Sequence, residues 1–401
     1  MQKERREYFR KIFLNSLQCQ CNEKGVYSSY ILQRLMGYIY QNKNWPNFTW
    51  KIEALIGLLG EARTLQGRLI GKMESLGFEL RNEALLDTLT LDVIKSSEIE
   101  GEFLNAEQVR SSIAKKLGME LAGSVEADRN VEGVVEMMID ATENCTEKLS
   151  AKRLFNWHAA LFPTGRSGMY KITVGNWRKD NAGPMQVVSG PMGKEKVHFQ
   201  APESDMVKEE MTVFLKWFNK SDPTDSIIKA AVAHLWFLTI HPFDDGNGRI
   251  ARALTDMLLA RSDGSNQRFY SMSSQIRLER KQYYTILEKT QKGSLNITEW
   301  IEWFLGCLIR SLKSADVLLA EVLFKSEFWS KNSKIILNER QHLMLNKLMD
   351  RFQGKLTSSK WAKITKCSKD TAIRDINDLI GKGLLKKESS GGRSTNYEIV
   401  K

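Results

Sequence analysis

His241-Pro242-Phe243-Asp244-Asp245-Gly246-Asn247-Gly248-Arg249-Ile250-Ala251-Arg252 decides how this chain is read. Pro242 breaks the preceding helix, because its ring removes an N–H and clashes with the turn before it. Gly246 and Gly248 permit tight, positive-φ turns. Apolar spacing resumes at Ile250, so Gly246 to Arg249 should open the next helix. Free N–H groups there, together with the helix dipole, make an anion site. Asn247 adds a neutral donor. Arg249 and Arg252, three apart, place two cations on one side of the helix. Asp245 is a hard oxygen ligand beside this cradle, suited to magnesium held between protein and phosphate. His241 stands on its rim, with a side chain that titrates near neutrality and can act as a general base. Each residue alone also has an ordinary structural reading: a lone His is usually structural, an Arg pair usually superficial, and Asp-Gly-Asn-Gly often only a turn. Their occurrence together carries the chemical reading.

Outward from this segment the chain reads as mainly helical. The 225–240 run is apolar nearly all round and should lie at the centre of the core. Before it, Ser204 starts a helix whose apolar face carries Trp217 and Phe218. A stretch rich in Gly and Pro, 175–202, holds two β-leaning pieces, Gln186-Val187-Val188 and Lys196-Val197-His198-Phe199. With Ser189-Gly190-Pro191-Met192-Gly193 between them they read as a hairpin. Leu55, Leu58, Leu59 and Leu65 recur at helical spacing, as do Leu85, Leu86, Leu89, Val93 and Ile94. Trp45 and Trp50 should pack on this N-terminal region. After about Lys331 the pattern changes. One helix carries Leu343, Leu345, Leu348 and Met349, a second runs from Ser358 to Ile364, and a third is capped by Ser368 and runs to about Ile380. Two strands, Leu384–Lys387 and Asn396–Val400, flank Ser389-Ser390-Gly391-Gly392. That order is a winged helix-turn-helix.

At this point the central segment resembles the Fic (filamentation induced by cAMP) signature H-P-F-x-[D/E]-G-N-G-R-x-x-R, matched at every fixed position. Gly175-Asn176-Trp177-Arg178, Val197-His198-Phe199-Gln200-Ala201-Pro202 and Ile297-Thr298-Glu299-Trp300 look like flanking Fic sequence, so the resemblance covers about 90–305. It implies a Fic-type helical core with a β-hairpin flap, and transfer of AMP from ATP to a Tyr, Thr or Ser hydroxyl of another protein. His241 would deprotonate the hydroxyl, and Asp245 would hold Mg2+ or Mn2+. Gly246, Asn247 and Gly248 would stabilise the α-phosphate. Arg249 and Arg252 would bind the outer phosphates, and the flap near 186–199 would align the protein substrate. Tyr283 and Tyr284 resemble tyrosines near the nucleotide base; ordinary core aromatics are the alternative. Ser96-Ser97-Glu98-Ile99-Glu100-Gly101 matches the family's inhibitory pattern [S/T]-x-x-x-E-[G/N]. Ser96 and Glu100, four apart, share a helical face, and Gly101 ends the helix. Glu100 on Arg252 would occupy the place of the γ-phosphate, and Ser96 would hold Glu100.

The implied organisation is a basic extension over 1–35, an N-terminal helical region over 36–121 with the inhibitory helix near 85–101, a catalytic domain over 122–315 and the winged module over 335–401. Lys and Arg number 59 against 48 Asp and Glu, a net charge of +11. Residues 1–35 carry seven basic and three acidic side chains and 335–401 carry fourteen and seven, so the ends hold +4 and +7 and the centre is neutral. A basic C-terminal module suits DNA, with Lys369, Thr371 and Arg374 starting the reading helix and Lys386, Lys387 and Arg393 near phosphates. Homodimer formation or target positioning are its alternatives. The five cysteines are scattered and odd in number, which fits a reducing compartment such as the cytoplasm. No apolar run approaches the roughly 20 residues of a membrane span, and Ile12-Phe13-Leu14 is too short for a signal peptide. Met36 offers an alternative start. A DNA-binding regulator that senses ATP, and a hydrolase that removes AMP, remain alternatives to AMP transfer.

Overall fold

The computed structural model describes residues 37–400 apart from 121–122, 181–182, 192–193, 195, 222, 266, 350–351, 353 and 389–395. The 1–35 extension, Cys19, Cys21, Met36, Arg393 and the tips of both hairpins lie outside the described residues. The N-terminal part comprises α1 (Ile52–Glu74), α2 (Phe78–Ile99) and α3 (Ala106–Lys116). The centre follows with α4 (Arg129–Glu143), α5 (Ala151–Leu161), the ribbons β1–β2 (Arg166–Ser167, Tyr170–Lys171) and β3–β4 (Gln186–Ser189, Lys196–Gln200), and α6 (Ser204–Asn219). It continues through α7 (Ser226–Ile240), α8 (Asn247–Asp263), α9 (Met272–Leu278), α10 (Arg280–Gln291) and α11 (Thr298–Lys331). The chain closes with α12 (Glu339–Met349), α13 (Ser358–Ile364), α14 (Lys369–Gly381) and the ribbon β5–β6 (Leu385–Lys387, Tyr397–Ile399). The fold is mainly helical, as the spacing predicts.

The hub is α7. Every side chain from Ile227 to Ile240 is buried, which is why its sequence shows no polar face. Asp225 caps it by accepting the N–H of Ile227 at 2.8 Å. α8 packs along α7, and α11 crosses below, with Trp300 Nε1 donating to Ala231 O at 2.8 Å. Trp45 meets Trp236 edge to face at 6.1 Å and donates to Glu210 Oε2 at 2.9 Å, so it is a core aromatic seated on α6 and α7 and not on the N-terminal helices.

No break in the core falls near 121: it is continuous from Ile39 to Val322, so α1–α3 share it with the central helices. Nothing ends near 315 either: α11 runs unbroken to Lys331, and its last turns, through Phe324, Phe328 and Trp329, join a second core built on Met344, Leu345, Trp361, Ile376 and Leu379. That second core holds three helices and a two-stranded ribbon in the order read from the sequence, with Ser368 accepting the N–H of Thr371 at the start of α14. Among the described residues no helix is long and apolar enough to cross a membrane.

A buried carboxyl at the end of α8 marks a pH-sensitive point of the scaffold. Asp263 accepts from Tyr270 Oη at 3.0 Å and from Gln66 Nε2, and burial pushes it up to about 6. The folded state then holds this proton more tightly than the unfolded chain does. The resulting stability is complete below the ordinary value of 3.8 and is lost as pH rises through about 6. Asp263→Asn should therefore raise the urea midpoint at pH 7 relative to that at pH 4. An equal shift at both pH values would contradict burial as the cause.

Candidate active site

α7 stops at His241, whose backbone is left-handed (φ 53°, ψ 59°) and whose N–H still reaches Phe237 O at 2.9 Å. Pro242 follows and prevents continuation of the helix. The ring is oriented by its own helix: Nδ1–H donates to Leu238 O at 3.2 Å, which leaves the Nε2 lone pair available. Burial lowers the imidazole to about 4, against the pull of the Leu238 carbonyl and of Glu100 and Asp245. His241 is therefore neutral near pH 7, the state a proton acceptor needs.

The loop after it is closed by Asn247. Its Oδ1 accepts the N–H of Phe243 at 3.0 Å and its Nδ2 donates to Phe243 O at 2.8 Å. This corrects the expectation of a free side-chain donor: the amide is committed to the loop, and Asn247 offers a ligand its main-chain N–H. Gly246 turns the chain at φ 79° to start α8. Glu100 Oε1 packs so closely on Gly248 that a Cβ there would displace the carboxylate. Asp245 accepts from Ser167 Oγ and from the N–H of Gly246 at 2.5 Å, and Asp244 takes the N–H of Thr173 at 2.7 Å. Buried His158 stacks on Phe243 at 4.2 Å, donates through Nε2 to Asp245 O at 3.2 Å and accepts from the N–H of Gly175 at 3.2 Å. Desolvation lowers it to about 4, consistent with one ring nitrogen donating and the other accepting.

Both arginines of the segment are buried and each meets a carboxylate. Arg252 Nη2 lies 2.8 Å from Glu100 Oε1, while Nε and Nη2 donate to Ser96 Oγ and O, each at 2.8 Å. Ser96 thus holds the arginine and not, as expected, the glutamate. Arg249 Nη1 pairs with Glu102 Oε2 at 2.5 Å and its guanidinium lies over the Phe162 ring at 5.1 Å. α2 ends at Ile99, and Gly101 (φ 88°) turns the chain so that Glu100 and Glu102 reach different arginines. Arg280 Nε secures the corner by donating to Ile99 O at 2.9 Å. Among the described residues, Arg252 Nη1 and Arg249 Nε have no hydrogen-bond partner, and both atoms are buried. Such orphaned donors invite an oxygen-rich ligand.

His241, Asp245, Asn247, Gly248, Glu100 and Arg280 line a cavity of about 1050 Å³ between the β3–β4 ribbon and α10. The ribbon carries a bulge at Val187/Val188 and is tied to α10 through His198 Nδ1 and Glu288 Oε2 at 2.7 Å. Tyr283 and Tyr284 both line the cavity: Tyr283 is buried with its hydroxyl 2.8 Å from His234 Nε2, and Tyr284 is 37% exposed, beneath Arg280. Among the described residues no group of three or more His, Cys, Asp or Glu could hold a metal. Asp245 alone suits an ion whose other ligands are phosphate and water. Glu102, His158, Ser167 and Arg178 were missed as site residues. Only Arg178 carried a signal, in the Gly175–Arg178 segment.

A helical domain with its anion cradle at a helix N-terminus and a histidine at its rim is the class these features define. Residues 148–259 match the Fic/DOC family, and 38–119 match a domain of unknown function (DUF4172). The chain carries a Fic/DOC domain. It is 27% identical over 224 residues to protein adenylyltransferase fic-1 of Caenorhabditis briggsae, covering 52% of this chain and 41% of that one. It is 30% identical over 113 residues to protein adenylyltransferase Fic of Nematostella vectensis, covering 28% and 25%. The chain thus spans 41% or less of the length of these two relatives. A solved Fic family protein from Desulfovibrio desulfuricans G20 superposes with a TM-score of 0.48 at 19% identity, covering 86% of this chain and 96% of that one.

Proposed function

We propose that this chain transfers AMP from ATP to a protein hydroxyl, and that Glu100 and Glu102 restrain it. The observation that carries the reading is a neutral His241 with a free Nε2, set on the same cavity as Asp245, Asn247 and Gly248 at the start of α8, with the buried Arg249 and Arg252 on that same helix. His241 Nε2 takes the hydroxyl proton as the oxygen bonds to the α-phosphorus. The bond from that phosphorus to the bridging oxygen breaks, and pyrophosphate leaves. Main-chain N–H groups at Asn247 and Gly248 face the developing charge, and Arg249 and Arg252 bind the outer phosphates. Asp245 would hold a magnesium or manganese ion, which neutralises phosphate charge when bound. The β3–β4 ribbon lies over the cavity with Val188 half exposed, suited to aligning a target segment by strand addition. Label incorporated into protein from α-labelled but not γ-labelled ATP supports this reading; label from γ-labelled ATP would make the domain a kinase instead.

One observation favours a DNA-binding role for 335–401. Two of the three acidic residues of α14 are engaged within the chain, Asp375 with Arg340 at 2.7 Å and Asp378 with Lys382 at 2.5 Å, while Asp370 is exposed. Lys369 and Arg374 remain exposed on the same helix. Binding of the full chain to duplex DNA, followed by anisotropy, should weaken by roughly 10–100-fold between about 50 and 200 mM salt. Lys369→Glu with Arg374→Glu should abolish it. No binding by the wild type at low salt would leave protein association as the role of this module.

A further inference from the structure

Arg178 is a buried cation beside the reactive loop with no task in the transfer as described. Its side chain is wholly buried, a position that demands full compensation of the charge. Three chain segments supply it. Nε donates to His241 O at 2.8 Å, Nη2 donates to Pro202 O, and Nη1 meets Asp180 Oδ1 at 2.5 Å. The main-chain N–H of Arg178 adds a bond to Pro242 O at 2.9 Å. Asp180 extends the grip, since its Oδ2 accepts the N–H of Ser204 at 2.7 Å. Pro202 lies two residues past the end of β4, and Ser204 opens α6.

One guanidinium therefore joins the carbonyl of the candidate base to the base of the ribbon that covers the cavity. His241 needs such a grip. Its left-handed backbone is disfavoured for any residue with a Cβ and persists where the surroundings over-determine it. The ring direction follows from that backbone, because Nδ1–H reaches the carbonyl of the residue three earlier.

We propose that Arg178 is a positioning residue that aims His241 by holding its main-chain carbonyl and couples that aim to the root of the β3–β4 ribbon. The proposal rests on His241 acting as the base in AMP transfer. It makes target engagement and base alignment one event: a segment that moves the ribbon also moves Pro202, and through Arg178 the carbonyl of His241.

The test uses the full chain carrying Glu100→Gly, with Arg178→Met or Arg178→Lys added. Lysine can reach one carbonyl but cannot span two. Arg178→Met should lower kcat by about 10²-fold, the scale of a misaligned reacting group, with KM for ATP within about 2-fold because the cradle on α8 is untouched. Arg178→Lys should lie between. An unchanged kcat, or a fall matched by loss of ATP affinity, would overturn the proposal. Should Arg178→Met fail to fold, Asp180→Asn removes only the outer contact and should show a smaller loss of the same kind. A second readout needs no activity. Ring-nitrogen chemical shifts of His241 should show the Nδ1–H tautomer in wild type and a mixture in the Arg178 variants. An unchanged ring pattern overturns the positioning role, whereas absence of transfer in the parent sinks the AMP reading alone.

Discussion

Glu100→Gly is expected to turn a nearly silent protein into an active one. With Glu100 in place its carboxylate lies 2.8 Å from Arg252 and presses against Gly248, on the path a triphosphate must take to reach that arginine. On the proposed reading the γ-phosphate would pair with Arg252 only after this carboxylate leaves. Losing one partner of a buried pair commonly costs roughly 3–5 kcal/mol. The Glu100 side chain keeps 30% of its exposure, which places it at the lower end, about 3 kcal/mol, or on the order of 10² in rate. Adding Glu102→Ala should raise activity further by a smaller step, since Glu102 is more exposed and only one arginine is released. Ser96→Ala should not activate, because Ser96 orients Arg252 for carboxylate and phosphate alike. The measurement is autolabelling with α-labelled ATP. Equal labelling of wild type and Glu100→Gly would remove the restraint.

His241→Ala in the Glu100→Gly background should lose transfer by roughly 10²–10⁴-fold, the usual share of general-base catalysis. ATP affinity should change little, because Asn247, Gly248, Arg249 and Arg252 are positioned by α8 and by the Asn247–Phe243 ring of hydrogen bonds. The pH dependence has a definite sign. With His241 lowered to about 4, the active neutral form persists well below pH 6, so the rate should hold on acidification until about pH 4 as far as this group governs it. Transfer by the double variant at the parent rate would sink the assignment of His241 as base.

Local punctuation made much of the architecture legible. Pro242 and Gly246 mark the ends of α7 and α8, Ser368 opens α14, and the unbroken apolar run of α7 announces its burial. Of the site, the motif made legible that His241, Asp245 and the two arginines gather where α7 gives way to α8. It was illegible where the role depends on which neighbour a side chain meets. Asn247 is a donor on paper and a loop clasp in the fold. Ser96 sits one turn before Glu100 yet bonds across to α8. Glu102, just past a helix end, reads as a solvated charge until Gly101 turns it onto Arg249. The β1–β2 ribbon, two residues per strand, is too short for any period, although it brings Ser167 to Asp245.

The unbroken course of α11 through both cores turns the joint between them into a matter of rotational phase. A helix of 34 residues is about 51 Å of rod, and each residue turns the path by about 100°. Removing a single residue between Leu319 and Phe324 would swing everything beyond it around the axis by more than a quarter circle. Removing seven would nearly restore the original bearing, one heptad leaving a mismatch of only about 20°. The C-terminal helices therefore have a heading as well as a distance, and α11 works as a keyed shaft between the two cores.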